Sequence, residues 1–193
     1  MSRFYIDTPL AKAIFTLLNQ LDETFARYSA GSLRAYIFGG CALHIHTKAR
    51  GSNDLDVALE AAERLRPDEL SFQLDPVYFD DELGLPSLLE LDTQFNTALA
   101  SVSPDYQERA ILLAGGERAL YVYLVAAVDL AVSKLARLAE DDMQDIRCLF
   151  QAGGFTLTEF ERVAQSALDY YATPQRLEWN IRHALKELEK MSQ

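Results

Sequence analysis

Apolar residues recur at helical spacing at Leu10, Ile14, Leu17, Leu18, Leu21 and Phe25, the stripe by which an amphipathic helix buries one face. Thr8 and Pro9 supply its start, an N-cap hydroxyl followed by a residue pre-set for the first helical position. Leu33 to Phe38 is then a short apolar run with Gly31 before it and Gly39-Gly40 after it, the mark of a buried strand. Ala42 to Thr47 predicts a short second helix. From Asp54 to Leu59 polar and apolar residues alternate, the period of a strand with one face in the core. Ala61 to Leu65 reads as a short helix. Ser71 to Leu99, with Pro76, Gly84 and Pro86, reads as strands and loops. Ala110 to Leu113 and Ala119 to Val125 predict a hairpin across Gly115-Gly116.

From Val128 the period is helical. Asp129 to Ala139 and Asp142 to Phe150 form one long helix or two, and Gly153-Gly154 ends the run. Thr156, with Glu159 three residues on, predicts a capped helix to about Tyr171, and Pro174 opens a last helix to Met191. The fold class is α/β: a small mixed-sheet core over residues 1–127, then a helical region over 128–193 packed on it.

Composition narrows the partners. Nearly half of the chain, 49%, is hydrophobic, which argues for a packed domain and against disorder. No stretch approaches the ~20 apolar residues of a membrane helix, and the first residues lack the apolar core of a signal peptide, so the expectation is a cytoplasmic protein without a membrane partner. The net charge is -11. That disfavours a surface binding nucleic acid without specificity, which needs clustered Lys and Arg. It leaves room for a site where metal ions supply the positive charge. Cys41 and Cys148 stand alone, without the near Cys or His that zinc requires, and read as reduced, packed thiols.

The chemistry concentrates in two segments. Asp54 and Asp56 share one face of their strand, about 7 Å apart at the backbone. Leu55, Val57 and Leu59 take the other face and can enter the core. Two such carboxylates repel unless a cation lies between them, and oxygen-only ligands suit magnesium. Gly39-Gly40, between a strand and a helix, lets backbone approach a ligand closely. The helix N-terminus that follows favours phosphate.

A strand ending in Gly-Gly, thirteen residues, then Asp-Leu-Asp on a second strand resembles the polymerase-β-like nucleotidyltransferase superfamily. The resemblance implies a magnesium-dependent transfer of a nucleoside monophosphate from a nucleoside triphosphate. In it Asp54 and Asp56 hold the metal and Gly39 and Gly40 bind the nucleotide; Arg50 and Ser52, which look like the AbiEii-type group of that superfamily, are expected to add to the nucleotide site. A third catalytic carboxylate is expected on a later strand. Among Asp75, Glu90 and Asp92, the context Leu88-Leu89-Glu90-Leu91-Asp92 favours Asp92. Gly40 stands where much of the superfamily has serine, leaving the phosphate contacts to the backbone.

Lys134, followed by Asp142-Met143-Gln144-Asp145, looks like the third motif of the AbiEii-type nucleotidyltransferases of toxin–antitoxin systems. By that resemblance Lys134 meets triphosphate oxygens, and Asp142 or Asp145 orients an acceptor or Arg137. On one continuous helix Lys134 and Asp145 lie three turns apart, too far to touch. The implied partners are the nucleoside triphosphate, an antitoxin protein, and an acceptor that is RNA or protein, with RNA disfavoured by the acidic charge. The alternative function is a catalytically weak module of the same fold that acts by docking to a partner protein. His44 and His46 fall on different faces of their helix and suit packing or surface roles. Tyr121 and Tyr123 suit hairpin packing, and Trp179 suits a core or interface.

Overall fold

The structure, a computed structural model, describes residues 4–61 and 74–192. The chain divides into two compact units, one of Phe4–Phe95 and Ala110–Leu124, the other of Asn96–Arg109 and Val125–Gln193.

The first unit holds a six-stranded mixed sheet: β1 (Leu33–Ile37), β2 (Asp54–Ala61), β3 (Val77–Asp80), β4 (Pro86–Asp92), β5 (Ile111–Ala114) and β6 (Leu120–Leu124). Their order is β3-β4-β2-β1-β6-β5. β1 lies centrally, antiparallel to β2 and parallel to β6, which is why Leu33, Ala35, Tyr36 and Ile37 are all buried. β2 and β4 run parallel, and the hairpins β3–β4 and β5–β6 complete the edges. Two helices pack on this sheet, α1 (Pro9–Thr24) and α2 (Gly39–Thr47). Thr8 caps α1 by accepting the Ala11 N–H at 3.2 Å. The helix buries Leu10, Ile14, Leu17, Leu18 and Leu21, each worth about 1.5–3 kcal/mol once removed from water.

Two expectations change here. The second helix begins at Gly39, not Ala42, because a positive φ at Gly39 turns the chain into the helix within one residue of the strand. Ala61, expected to open a helix, ends β2, and residues 62–65 lie outside the described residues. Leu55 and Val57 enter the core as expected, whereas Leu59 is 37% exposed.

The second unit is helical: α3 (Tyr106–Arg109), α4 (Ala127–Ser133), a 3-10 turn over Lys134–Ala136, α5 (Glu140–Gln151), α6 (Leu157–Leu168) and α7 (Pro174–Met191). Its core gathers Leu130, Ile146, Leu149, Phe160, Val163, Leu177, Ile181 and Leu188. The stretch over Asn96–Arg109 joins this unit through hydrogen bonds of Ser101 to the Val132 carbonyl and of Ser103 with Ser166, and through an ion pair on a buried carboxylate. Arg109 donates to both carboxylate oxygens of Asp129, at 2.8 and 2.7 Å, and to Ser103 Oγ at 2.9 Å. Asp129 is fully buried, and a buried carboxylate requires such a partner. No helix among the described residues is long and apolar enough to cross a membrane.

Candidate functional site

The site is built where β1 hands over to α2. Phe38 keeps β1's extended backbone and donates its N–H to the carbonyl of Asp56 at 2.9 Å. Gly39 then turns at φ +61°. A Cβ at Gly39 would lie 2.6 Å from the carboxylate carbon of Asp56, closer than real Cβ contacts come. Only glycine therefore lets that carboxylate lodge at the start of the helix. α2 has no side-chain cap at its N-terminus, and a negative group there is favoured by the helix dipole.

Gly40 meets a different wall. A Cβ there would stand 2.8 Å from Ser52 Cβ, 3.1 Å from the Gly51 carbonyl oxygen and 3.4 Å from Arg50 Nη1. The Arg50–Asn53 loop thus presses on the second glycine, and Ser52 Oγ accepts the Asp54 N–H at 3.2 Å. Gly39 thus answers to close packing against a residue of β2, and Gly40 to packing against the loop that leads into it.

Asp54 is exposed and Asp56 half-buried. In the parallel pairing of β2 with β4, Asp54 stands opposite Glu90 and Asp56 opposite Asp92, so the four acidic residues share one face of the sheet. Asp92 is accordingly beside Asp56, where its Oδ1 accepts the Gln94 N–H at 2.7 Å. Asp75 is elsewhere, its backbone held by the side chain of Gln20. Glu90, passed over in choosing Asp92, belongs to the same face. The signal for it was the second acidic–Leu–acidic triplet, Glu90-Leu91-Asp92, which repeats Asp54-Leu55-Asp56 on the neighbouring strand. Among the described residues no three His, Cys, Asp or Glu side chains form a ready-made metal-ligating group. The donor set is nevertheless oxygen-only and paired on one face, which is the chemistry that suits magnesium.

Cys41, the third residue of α2, lies under this face with its Sγ 3.5 Å from the Asp54 carbonyl oxygen. Burial pushes its thiol far up, and the negative charges of Asp56 and Asp54 push it further, so it stays protonated and unreactive. The Arg50–Asn53 loop also lines a cavity of about 550 Å³, together with His44, Lys48 and Glu82 among others. The acidic pair Asp54 and Asp56 does not line it, so it flanks the carboxylate face and does not replace it as the candidate site. His44 is buried, with Nε2 2.9 Å from Thr8 Oγ1, and desolvation lowers its pKa. His46 packs edge-on to Phe4. Tyr121 donates to the Gly116 carbonyl in the hairpin turn at 2.9 Å and lies over Gly31, and Tyr123 stacks on Tyr36 of the neighbouring β1.

The chain matches, over residues 12–190, a family described as nucleotidyltransferase of unknown function (DUF6036). It belongs to that family. A search of curated proteins found no match. The remaining sequence-predicted residues, Lys134, Arg137, Asp142 and Asp145, lie in the helical unit and are gathered among themselves. Lys134 Nζ is 2.7 Å from Asp145 Oδ2, with 9% and 2% of the two side chains exposed. Lack of contact was expected only of one continuous helix, and the segment is two. The helix breaks at the 3-10 turn and at Leu138, which has φ +48°, and the fold-back brings α5 against Lys134. Arg137 donates to both oxygens of Asp142, at 2.7 and 2.8 Å, so of the two acidic residues expected to orient it, Asp142 is the one it pairs with. Asp142 also accepts the Ala139 N–H at 2.9 Å, closing the first turn of α5.

Proposed function

We propose that this chain transfers a nucleoside monophosphate from a nucleoside triphosphate to an acceptor hydroxyl or phosphate, with release of pyrophosphate. The observation that carries the reading is the Asp56 carboxylate lodged against Gly39 at the uncapped start of α2, with Asp54 on the same face and Asp92 in register beside it. Backbone N–H groups at Gly39 and Gly40 bind triphosphate oxygens. Arg50, beside Gly40, offsets their charge. Asp54 and Asp56 are the residues that would hold magnesium, which neutralises the triphosphate and the leaving pyrophosphate. For a hydroxyl acceptor, Asp92 takes the proton as the new bond to the α-phosphorus forms and the bond to pyrophosphate breaks. We assign Lys134 to the fold, because its ammonium is engaged by Asp145.

Isothermal calorimetry with ATP and magnesium tests the reading. Binding that needs magnesium, and that is lost in Asp54→Asn and Asp56→Asn, supports it. No binding at millimolar concentrations of both sinks it and leaves a docking module of the same fold. The toxin role implied by the AbiEii-type resemblance has its own test: overexpression slows growth, and Asp56→Asn relieves it.

A further inference from the structure

Trp179 belongs to neither core. It is 63% exposed, and its ring lies flat on His183, with centroids 5.4 Å apart and planes at 1°. α7 buries Leu177, Asn180, Ile181, Ala184 and Leu188 on its inner face. At 3.6 residues per turn, Arg176, Trp179, His183, Lys186 and Lys190 fall within about 80° of arc on the opposite face, and all five are exposed.

The charges on that face are only partly used. Arg182 is paired with Glu178, and Lys190 with Glu187, which also takes Arg147. Among the described residues Arg176 and Lys186 have no carboxylate partner. In a chain with 29 acidic against 18 basic residues, this stripe reverses the prevailing sign. Trp179 is also the only large apolar side chain exposed on α7. A face that docks a protein helix would surround it with more apolar side chains. Here its neighbours are cations and an imidazole, the combination that pairs phosphates with charge and a base with a flat ring.

We propose that the outer face of α7 docks single-stranded RNA, with Arg176 and Lys186 against phosphates and an unstacked base on the free face of Trp179. The chain-wide charge does not oppose this, because phosphate contacts depend on the cations within a Debye length, about 10 Å at 0.1 M salt. That the strand is the acceptor rests on the nucleotidyl-transfer reading; that it docks rests on α7 alone.

The chain has one tryptophan, so its fluorescence reports this position directly. Titration with an oligouridylate of about 12 nucleotides in about 50 mM salt should quench Trp179, and raising salt to about 200 mM should weaken binding about sevenfold, the salt dependence of two phosphate contacts on a single strand. By anisotropy of the labelled strand, Arg176→Glu/Lys186→Glu should bind at least tenfold more weakly. Trp179→Ala should lose roughly five- to hundredfold, the effect of one base stack, and Trp179→Phe should recover part of it. All three variants should keep wild-type thermal stability and magnesium–ATP binding. Absence of quenching at low salt, unchanged affinity in the charge-reversed variant, or preference for duplex over single-stranded RNA would overturn the proposal. Quenching that persists in Asp56→Asn while ATP binding is lost shows the two sites to be separate. Quenching in a wild-type protein that does not bind ATP sinks the transferase reading and leaves the RNA surface standing.

Discussion

The Asp56 carboxylate occupies the space that a side chain at Gly39 would need, its Cγ 2.6 Å from where a Cβ would be. The two positions are seventeen residues apart, on different elements, yet each has meaning only through the other. The glycine gives the carboxylate a seat at the positive end of α2. The carboxylate makes the residue at Gly39 non-negotiable in size as well as in backbone angle.

Gly39→Ala should therefore do two things. It should cost about 2–4 kcal/mol from left-handed strain plus the clash, read as a lowered urea midpoint. It should also push Asp56 off its seat and weaken magnesium–ATP binding at least tenfold. Gly153→Ala separates the causes. Gly153 has φ +72° with nothing near a Cβ, so alanine there costs about 1–2 kcal/mol of strain and leaves ATP binding unchanged. Equal effects of the two substitutions on ATP would refute the seat.

Cys41 provides a second check on the same face. Its thiol is buried and pushed far above the ordinary cysteine value, first by burial and then by Asp56 and Asp54. In native protein at pH 8 a thiol reagent should label Cys148, which is half-buried, and spare Cys41. Labelling of Cys41 should appear only on unfolding. Asp56→Asn should not change this, because burial is the larger cause. Rapid labelling of both thiols in the native protein would contradict the packing under the site.

Much of this was legible in the chain. Strand, Gly-Gly, strand and the Asp54–Asp56 alternation are local patterns, and short-range sterics decide them. What was not legible depends on distant partners. The residues around Lys134 to Ala139 are good helix formers, so the pattern left one helix or two open and did not place the break at Leu138. Yet Leu138 is held at φ +48°, while Asp142 fixes Arg137 and the Ala139 N–H. The stretch over Asn96–Arg109 precedes the helical run that begins at Val128, so the pattern groups it with the core; Arg109, through Asp129, ties it to the helices. Trp179 was expected to be buried or in an interface, since apolar residues usually are. Whether the face it sits on is covered cannot be read from spacing.

The Lys134–Asp145 pair predicts a stability effect that a solvated helix face would not show. Both side chains are nearly buried, so removing one leaves an uncompensated charge. Lys134→Met and Asp145→Leu should each cost about 3–5 kcal/mol or unfold the unit. The double variant should regain most of that loss, because two apolar side chains can replace a buried pair. With the fold thus restored, ATP affinity should equal wild type. A folded double variant that has lost ATP binding would move Lys134 from the fold into the nucleotide site.

The Arg137–Asp142 pair carries a pH signature. Burial pushes the Asp142 carboxyl up, but the Arg137 guanidinium and the Ala139 N–H outweigh it and hold the group below its ordinary value. Its folded pKa is thus lower than its unfolded one, about 3.9. The linkage then stabilises the fold above about pH 4 and fades as pH falls through the folded value. Arg137 is 73% exposed, so water takes over part of its role when it is removed. Arg137→Ala should cost only about 1–2 kcal/mol at pH 7. The gap between wild type and variant should stay constant from pH 7 to about 5, then close as the carboxyl is protonated in both. Urea midpoints across that range read this directly. A gap that widens toward acid pH would mean that Arg137 does not hold Asp142 ionised.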